Sequence, residues 1–452
     1  MMPGKPIVIL LAALGVPLLP GCGARDGLEV EPAEPPRCAK QALVRATRAP
    51  KNFVLKEFPG TLGSGSAVAA CPNGDILLAG NLGAGTSDLG GGPRTVSATT
   101  AFVASFDASG HHQWDRLYPE ATSIAQIAVD PEGNILAAAN VESGDVANES
   151  ALFLELDPVG DPLWTKAWPG LVFDGGRVFD VDGCGDVFLT GTSDEKSRAA
   201  LGVPGDGVFV AEYDPSGHVL WGKSFGGIPP AALKGFPSIA LDDQGGILLA
   251  GESFVPMGTD TPPVFGDGDA PPWYLVKLTS TGDFLWQQSF ASLLLPPPFS
   301  SGTWTFGGVD AAGEPVVVVD VVPDSGPPQF TPTGPAVVTA QRFDPSGQVI
   351  STTPLALNGD TNKGFVTLSA AAVAPSGSML VARTMNGPTD TWMVELDAEG
   401  APLWSWSHPS DKQGQVFGVG FDTGGRPLAA GRLDAPVTNE GGLFLAFDAS
   451  PP

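Results

Sequence analysis

The chain repeats one two-part motif about seven times, and few folds accommodate such a period. The first part is a small-apolar strand, a short turn with glycine and a second strand, as in SAVAACPNGDILLAG (66–80), IAVDPEGNILAAA (127–139) and SIALDDQGGILLAG (238–251). The second part is a strand, Asp, a tight turn, Gly and a Trp-bearing strand, as in AFVASFDASGHHQW (101–114), LFLELDPVGDPLW (152–164) and VFVAEYDPSGHVLW (208–221). Gly74, Gly133, Gly185, Gly245, Gly313, Gly377 and Gly425 mark the copies, 48 to 68 residues apart. Four short strands per period specify an all-β, seven-bladed β-propeller of four-stranded antiparallel blades.

The turn chemistry explains most recurring polar residues. The second turns read DASG (107–110), DPVG (157–160), DPSG (214–217), TSTG (279–282), DPSG (344–347), DAEG (397–400) and DASP (448–451). Asp at the first position accepts from the following amides, Pro presets φ, and Gly takes the left-handed geometry. These aspartates are therefore expected to be turn-formers, not catalytic acids.

Side-chain size sets the strand order. First strands such as SAVAA and AAAVA are small, which suits a crowded axis. Fourth strands carry Trp114, Trp164, Trp221, Trp286 and Trp404 at one position, followed four residues later by Tyr118, Trp168, Phe225, Phe290 and His408. Large rings suit the wide gap between outer blade edges. Blade five has Ser351 and blade seven Val54 at the Trp position, so those joints are expected to be looser. The last blade stops after GLFLAFD (442–448), and VLKEFPG (54–60) aligns with WTKAWPG (164–170). The N-terminal strand at about 54–60 is thus expected to complete that blade, closing the ring and removing a sheet edge.

The unit resembles bacterial SBBP-type repeats, most closely in VFDVDGCGDVFLTG (178–191) and GVFVAEYDPSGHVLW (207–221). Its Asp-x-x-Gly-x-x-x-Trp half is also similar to repeats of quinoprotein-like propellers and of outer-membrane assembly lipoproteins. The likeness covers residues 52–450 and implies the fold; the matching residues are structural and name no reaction.

The first 22 residues, MMPGKPIVILLAALGVPLLPGC, have a short basic region at Lys5 and an apolar core too short to span a bilayer comfortably. Leu19-Pro20-Gly21-Cys22 resembles the bacterial lipobox. That resemblance implies cleavage after residue 21, lipid on Cys22 and anchoring to the bacterial cell envelope, with Gly23 pointing to the outer membrane. Residues 22–51 then form a lipidated tether and 52–450 a single propeller domain. An exported chain permits a disulfide among Cys38, Cys71 and Cys184, and pairing of Cys38 with either of the others is preferred.

A formal net charge of −26 excludes nucleic acid as a partner. No phosphate-binding loop, zinc-protease motif or nucleophile elbow occurs. No cofactor is predicted, although Asp267 and Asp269, or Asp180 and Asp182, could offer oxygen ligands to calcium. His111, His112 and His218 follow turn glycines and are read as solvent-facing. The loops 81–100, 140–150, 192–207, 252–272, 321–336, 384–390 and 432–441 join second to third strands, emerge on one face and vary most in length. The expected function is a non-enzymatic, monomeric, membrane-anchored lipoprotein whose loops bind a protein or glycan. The rivals are a hydrolase or lyase acting at the central opening, and an envelope assembly scaffold. Ionisable residues clustered at the opening favour the enzyme, and an exposed apolar strip on the rim favours the scaffold.

Overall fold

A computed structural model of the protein describes residues 53–448 apart from 60–62, 142–149, 170, 172, 174–176, 194–196, 206, 226–236, 253–272, 290–299, 324–336, 356–365, 386–391, 408–412 and 435–441. Seven four-stranded antiparallel sheets form the blades of a propeller. Blade 1 is Gly63–Ala70, Ile76–Leu82, Thr100–Phe106 and His112–Tyr118. Blade 2 is Ser123–Val129, Ile135–Val141, Ser150–Leu156 and Pro162–Pro169. Blade 3 is Phe179–Val181, Val187–Ser193, Gly207–Tyr213 and Val219–Phe225. Blade 4 is Ser238–Leu241, Ile247–Glu252, Trp273–Leu278 and Phe284–Ser289. Blade 5 is Ser300–Val309, Pro315–Pro323, Val337–Phe343 and Val349–Pro354. Blade 6 is Val366–Val373, Met379–Met385, Trp392–Leu396 and Pro402–Ser407.

Blade 7 combines Gln413–Phe421, Pro427–Asp434 and Gly442–Asp448 with the N-terminal strand Phe53–Pro59. That strand pairs antiparallel with the third, from Phe53 opposite Asp448 to Pro59 opposite Gly442. The closure expected from the alignment is present. Backbone groups of Gly442–Asp448 that would otherwise face water as a sheet edge are paired.

The apolar core is divided among the joints between blades. One cluster joins Phe153 and Trp168 of blade 2 to Phe179 and Phe209 of blade 3. Another joins Phe102 and Phe106 of blade 1 to Leu428, Leu443 and Phe447 of blade 7. Clusters of the same kind occupy the remaining five joints. Second and third strands lie between two joints and are buried on both faces, so runs such as Thr100–Phe106 are wholly buried.

Outer tryptophans fill the wide part of these joints. The indoles of Trp114, Trp164, Trp221 and Trp286 lie against Gly160, Gly217, Gly282 and Gly347 of the next blade, where a Cβ would fall 2.7 to 3.1 Å from the ring. The joints at Ser351 and Val54 are filled from other positions: Thr353 lies against Gly400, and Phe447 against Gly110. Lys56 adds a hydrogen bond from Nζ to the Gly110 carbonyl at 2.6 Å.

The turn aspartates act as the motif predicts. Oδ1 of Asp214 accepts from the N–H groups of Ser216 and His218, each at 2.9 Å. Asp107, Asp157, Asp344 and Asp397 do the same in their turns.

Candidate functional site

The first strands of neighbouring blades touch one another around the axis and line a half-open cavity of about 440 Å³. Its shape depends on a device that the repeat does not advertise. Several first strands carry a bulge that skips one residue in the pairing with the second strand: Ser66, Ala125, Gly307, Ser369 and Phe417. A bulge re-aims the side chain it carries, and Ser66, Ala125, Ser369 and Phe417 all line the cavity. The same bulges explain the terminal glycine of the LLAG segment: a Cβ on Gly80 would lie 2.0 Å from the Ser64 carbonyl oxygen. The equivalent Gly431 meets the Gln415 carbonyl at the same distance.

Small and apolar residues dominate the wall, and Arg177 and Asp180 are its ionisable members among the described residues. Both belong to the inner edge of blade 3, and both are tied to blade 4. The Arg177 carbonyl accepts from the Ile239 N–H at 2.7 Å, and its N–H donates to Ser238 Oγ at 3.3 Å. Asp180 Oδ2 accepts from the Leu241 N–H at 2.9 Å and Oδ1 from the Val181 N–H at 3.0 Å. Arg177 Nη2 stands 3.7 Å from Asp180 Oδ1, longer than a hydrogen bond, and Arg177 Nε is buried without a partner.

Other polar side chains of the wall bind blades together. Gln126 donates from Nε2 to the Phe179 carbonyl and accepts at Oε1 from the N–H groups of Val178 and Phe179. Ser66 Oγ donates to the Ile124 carbonyl at 2.7 Å. These bonds join blade 2 to blade 3 and blade 1 to blade 2.

A second polar cluster lies on the rim of blade 1. The loop 81–100 contains a hairpin, Gly85–Asp88 with Pro93–Val96. Its Arg94 Nε donates to Asp115 Oδ1 at 2.7 Å, and His112 Nε2 meets Asp115 Oδ2 at 2.9 Å. The Asp115 side chain is only 1% exposed and that of His112 13%. His112 therefore departs from its expected solvent-facing place: alternation along its strand turns it under the hairpin. His111 and His218 stay exposed beside Asp107 and Asp214. The cluster is an ion-paired clamp packed under glycines, with Gly91 directly over the His112 ring.

Other expected site residues are placed as follows. Asp182 is a turn-former, its Oδ1 accepting from Cys184 and Asp186 N–H groups. Asp180 and Asp182 thus spend oxygens on backbone amides, and among the described residues no group of three metal-ligating side chains occurs. Asp267, Asp269, Cys22 and His408 lie outside the described residues, as do most residues of the loops 140–150, 252–272, 321–336, 384–390 and 432–441. Cys184 is disulfide-bonded and Cys71 is a free thiol, which removes both pairings that involve Cys71. Burial, with the nearby Asp75 carboxylate, pushes the Cys71 thiol up to about 12, so it is poorly nucleophilic.

Two carboxyls raised by burial, Glu155 and Glu395, lie on third strands inside blades. Burial holds the Glu155 and Glu395 carboxyls above the usual range, opposed by side-chain hydrogen bonds that include one from Asn134 Nδ2 to Glu155 and one from Trp404 Nε1 to Glu395. Glu212, at the equivalent third-strand position, accepts from Trp221 Nε1. In blades 4 and 5 that position holds Lys277 and Arg342, paired with the inner-turn residues Asp242 and Asp310. The series marks a polar position of the third strand that is spent on bonds within the fold.

No protein-family model matches the chain, and no curated protein matches it. Among solved structures it is similar to the β-propeller domain of the Trilobed protease from Pyrococcus furiosus, at 10% identity and a TM-score of 0.44, over 89% of this chain and 95% of that one. It is also similar to hydrazine synthase of Kuenenia stuttgartiensis, at 10% identity and a TM-score of 0.47, over 83% and 94%. The polysaccharide lyase Uly1 gives 10% identity and a TM-score of 0.49, over 85% and 89%. What the chain has in its own right is a seven-bladed ring with an axial cavity that no histidine lines among the described residues.

Proposed function

We propose that this protein is a non-enzymatic binding propeller, held at the bacterial envelope by lipid on Cys22, most simply at the outer membrane, with SBBP-type repeats as its scaffold. The partner is a protein or glycan held by the loops between second and third strands. The observation that carries this reading is the axial wall. Among the described residues it has no histidine, and its ionisable side chains are one arginine and one backbone-capping aspartate. Acid–base or nucleophilic catalysis needs a matched set of groups within hydrogen-bond reach of one another, and hydrolysis or elimination would have to be run here without one.

Two measurements test the reading. Mass spectrometry of the mature N-terminus from bacteria should find lipid on Cys22; a processed protein with an unmodified Cys22 removes the anchor. Replacing 84–97 by a short Gly-Ser turn should abolish retention of envelope ligands by the tagged protein. Equal retention by the variant, or turnover of the retained ligand, sinks the loop-binding reading.

A specific observation favours a second reading, an envelope assembly scaffold. Leu163, Leu220, Leu285, Ile350 and Leu403 occupy one position in five consecutive blades and are 38 to 54% exposed. A row of aliphatic residues at a sheet's outer edge suits protein contact. Photo-crosslinking from position 220 to a membrane-protein partner, with none from position 90, would favour the scaffold over the loop face.

A further inference from the structure

We propose that the axial cavity is an oxyanion site centred on Arg177, taking a small molecule that carries a carboxylate or a phosphate. The site is separate from the loop face, so it can stand if capture by the loops fails. Gln126, Ser66 and Asp180 in the same wall are spent on backbone groups around them. Gln126 uses both ends of its amide, and Ser66 and Asp180 bind neighbouring backbone. Arg177 is different. Its main chain is locked to blade 4 at both N–H and carbonyl, while its Nε–H is buried and bonds to nothing.

The guanidinium is held where a ligand would need it. Its side chain is 35% exposed, and its nearest carboxylate oxygen is 3.7 Å away and already accepts from Val181 N–H. Nη1 reaches toward blade 5, where a Cβ on Gly308 would stand 3.6 Å from it. Gly308 has φ of +115°, a conformation in which side-chain-bearing residues are rare, so blade 5 presents backbone without a side chain at that point beside the guanidinium. A planar cation with free N–H groups matches a carboxylate or phosphate in two parallel hydrogen bonds. A buried donor without a partner is a cost that native structures seldom keep, and a bound acceptor removes it. At about 440 Å³ the half-open cavity has room for a small molecule. The acidic chain as a whole repels anions, so the selectivity must come from this one residue and should be strongest at moderate salt, where distant charges are screened.

Calorimetry with the full chain and three matched sugars tests the proposal: glucose, glucuronate and glucose 6-phosphate differ only in the group at carbon six. One or both anions should bind about tenfold or more tighter than glucose, and Arg177→Gln should bring them to the level of glucose. Preference for glucuronate identifies a carboxylate ligand, and preference for the phosphate ester a phosphate ligand. Equal binding of all three sugars, or an Arg177→Gln protein that keeps the preference, overturns the proposal. Because the variant could fail to fold, the wild-type Nε–H resonance of Arg177 in isotope-labelled protein gives an independent reading. It should move on adding the preferred anion and not with glucose; a resonance that stays fixed with every anion overturns the site.

Discussion

At the scale of single residues, two contacts carry consequences that can be measured. Gly217 has φ of +76°, and Trp164 lies 3.1 Å from where its Cβ would be. Gly217→Ala should therefore destabilise by about 1–2 kcal/mol from backbone geometry alone, read from chemical denaturation, with tryptophan fluorescence reporting the displaced indole. Glu395 offers a pH test. Its folded-state carboxyl is raised by burial, so the folded protein holds that proton more tightly than the unfolded chain does. Its contribution to stability is therefore greatest in acid and declines as pH rises through the folded value. Glu395→Gln has no such dependence. The melting temperature of wild type minus that of the variant should become more positive between pH 7 and pH 5; a constant difference would place the carboxyl at its ordinary value.

At the scale of strands, closure of blade 7 is the contact most open to test. Removing 53–59 leaves the edge of Gly442–Asp448 unpaired and takes Phe58 from the joint with blade 1. The melting temperature should fall on the order of 10 °C, and light scattering should rise as the free edge recruits other chains. Unchanged melting and scattering would show that the strand is an ornament. This closure was legible because VLKEFPG and WTKAWPG share a pattern of apolar, Lys and aromatic positions that only an outer strand needs. The bulges were not legible. A skipped residue such as Ser66 or Ser369 looks like any small residue of an alternating strand, and only pairing reveals that it has changed face. His112 failed for the opposite reason: its neighbour His111 fits the turn, but one further step along the strand faces the other way.

At the scale of the whole molecule, what repeats is the frame and what does not repeat is the candidate chemistry. Turn aspartates, joint glycines and outer tryptophans could be placed from their spacing because each blade imposes the same demand on them. Arg177 could not, since it stands just ahead of a first strand, in a connection between blades where no register constrains the residue. Its significance is relational: it lies in what surrounds the guanidinium and in what fails to bond to it.

One consequence of the ring reaches beyond its folded form. Phe53 faces Asp448 across a single ladder, so a strand made early by the ribosome has no partner until nearly four hundred further residues exist. The nascent chain must therefore carry six consecutive blades and an orphan strand at once, with the seventh sheet's outer slot empty. Whatever keeps that slot vacant during synthesis decides whether the product is a closed ring or two molecules that have exchanged their first strands.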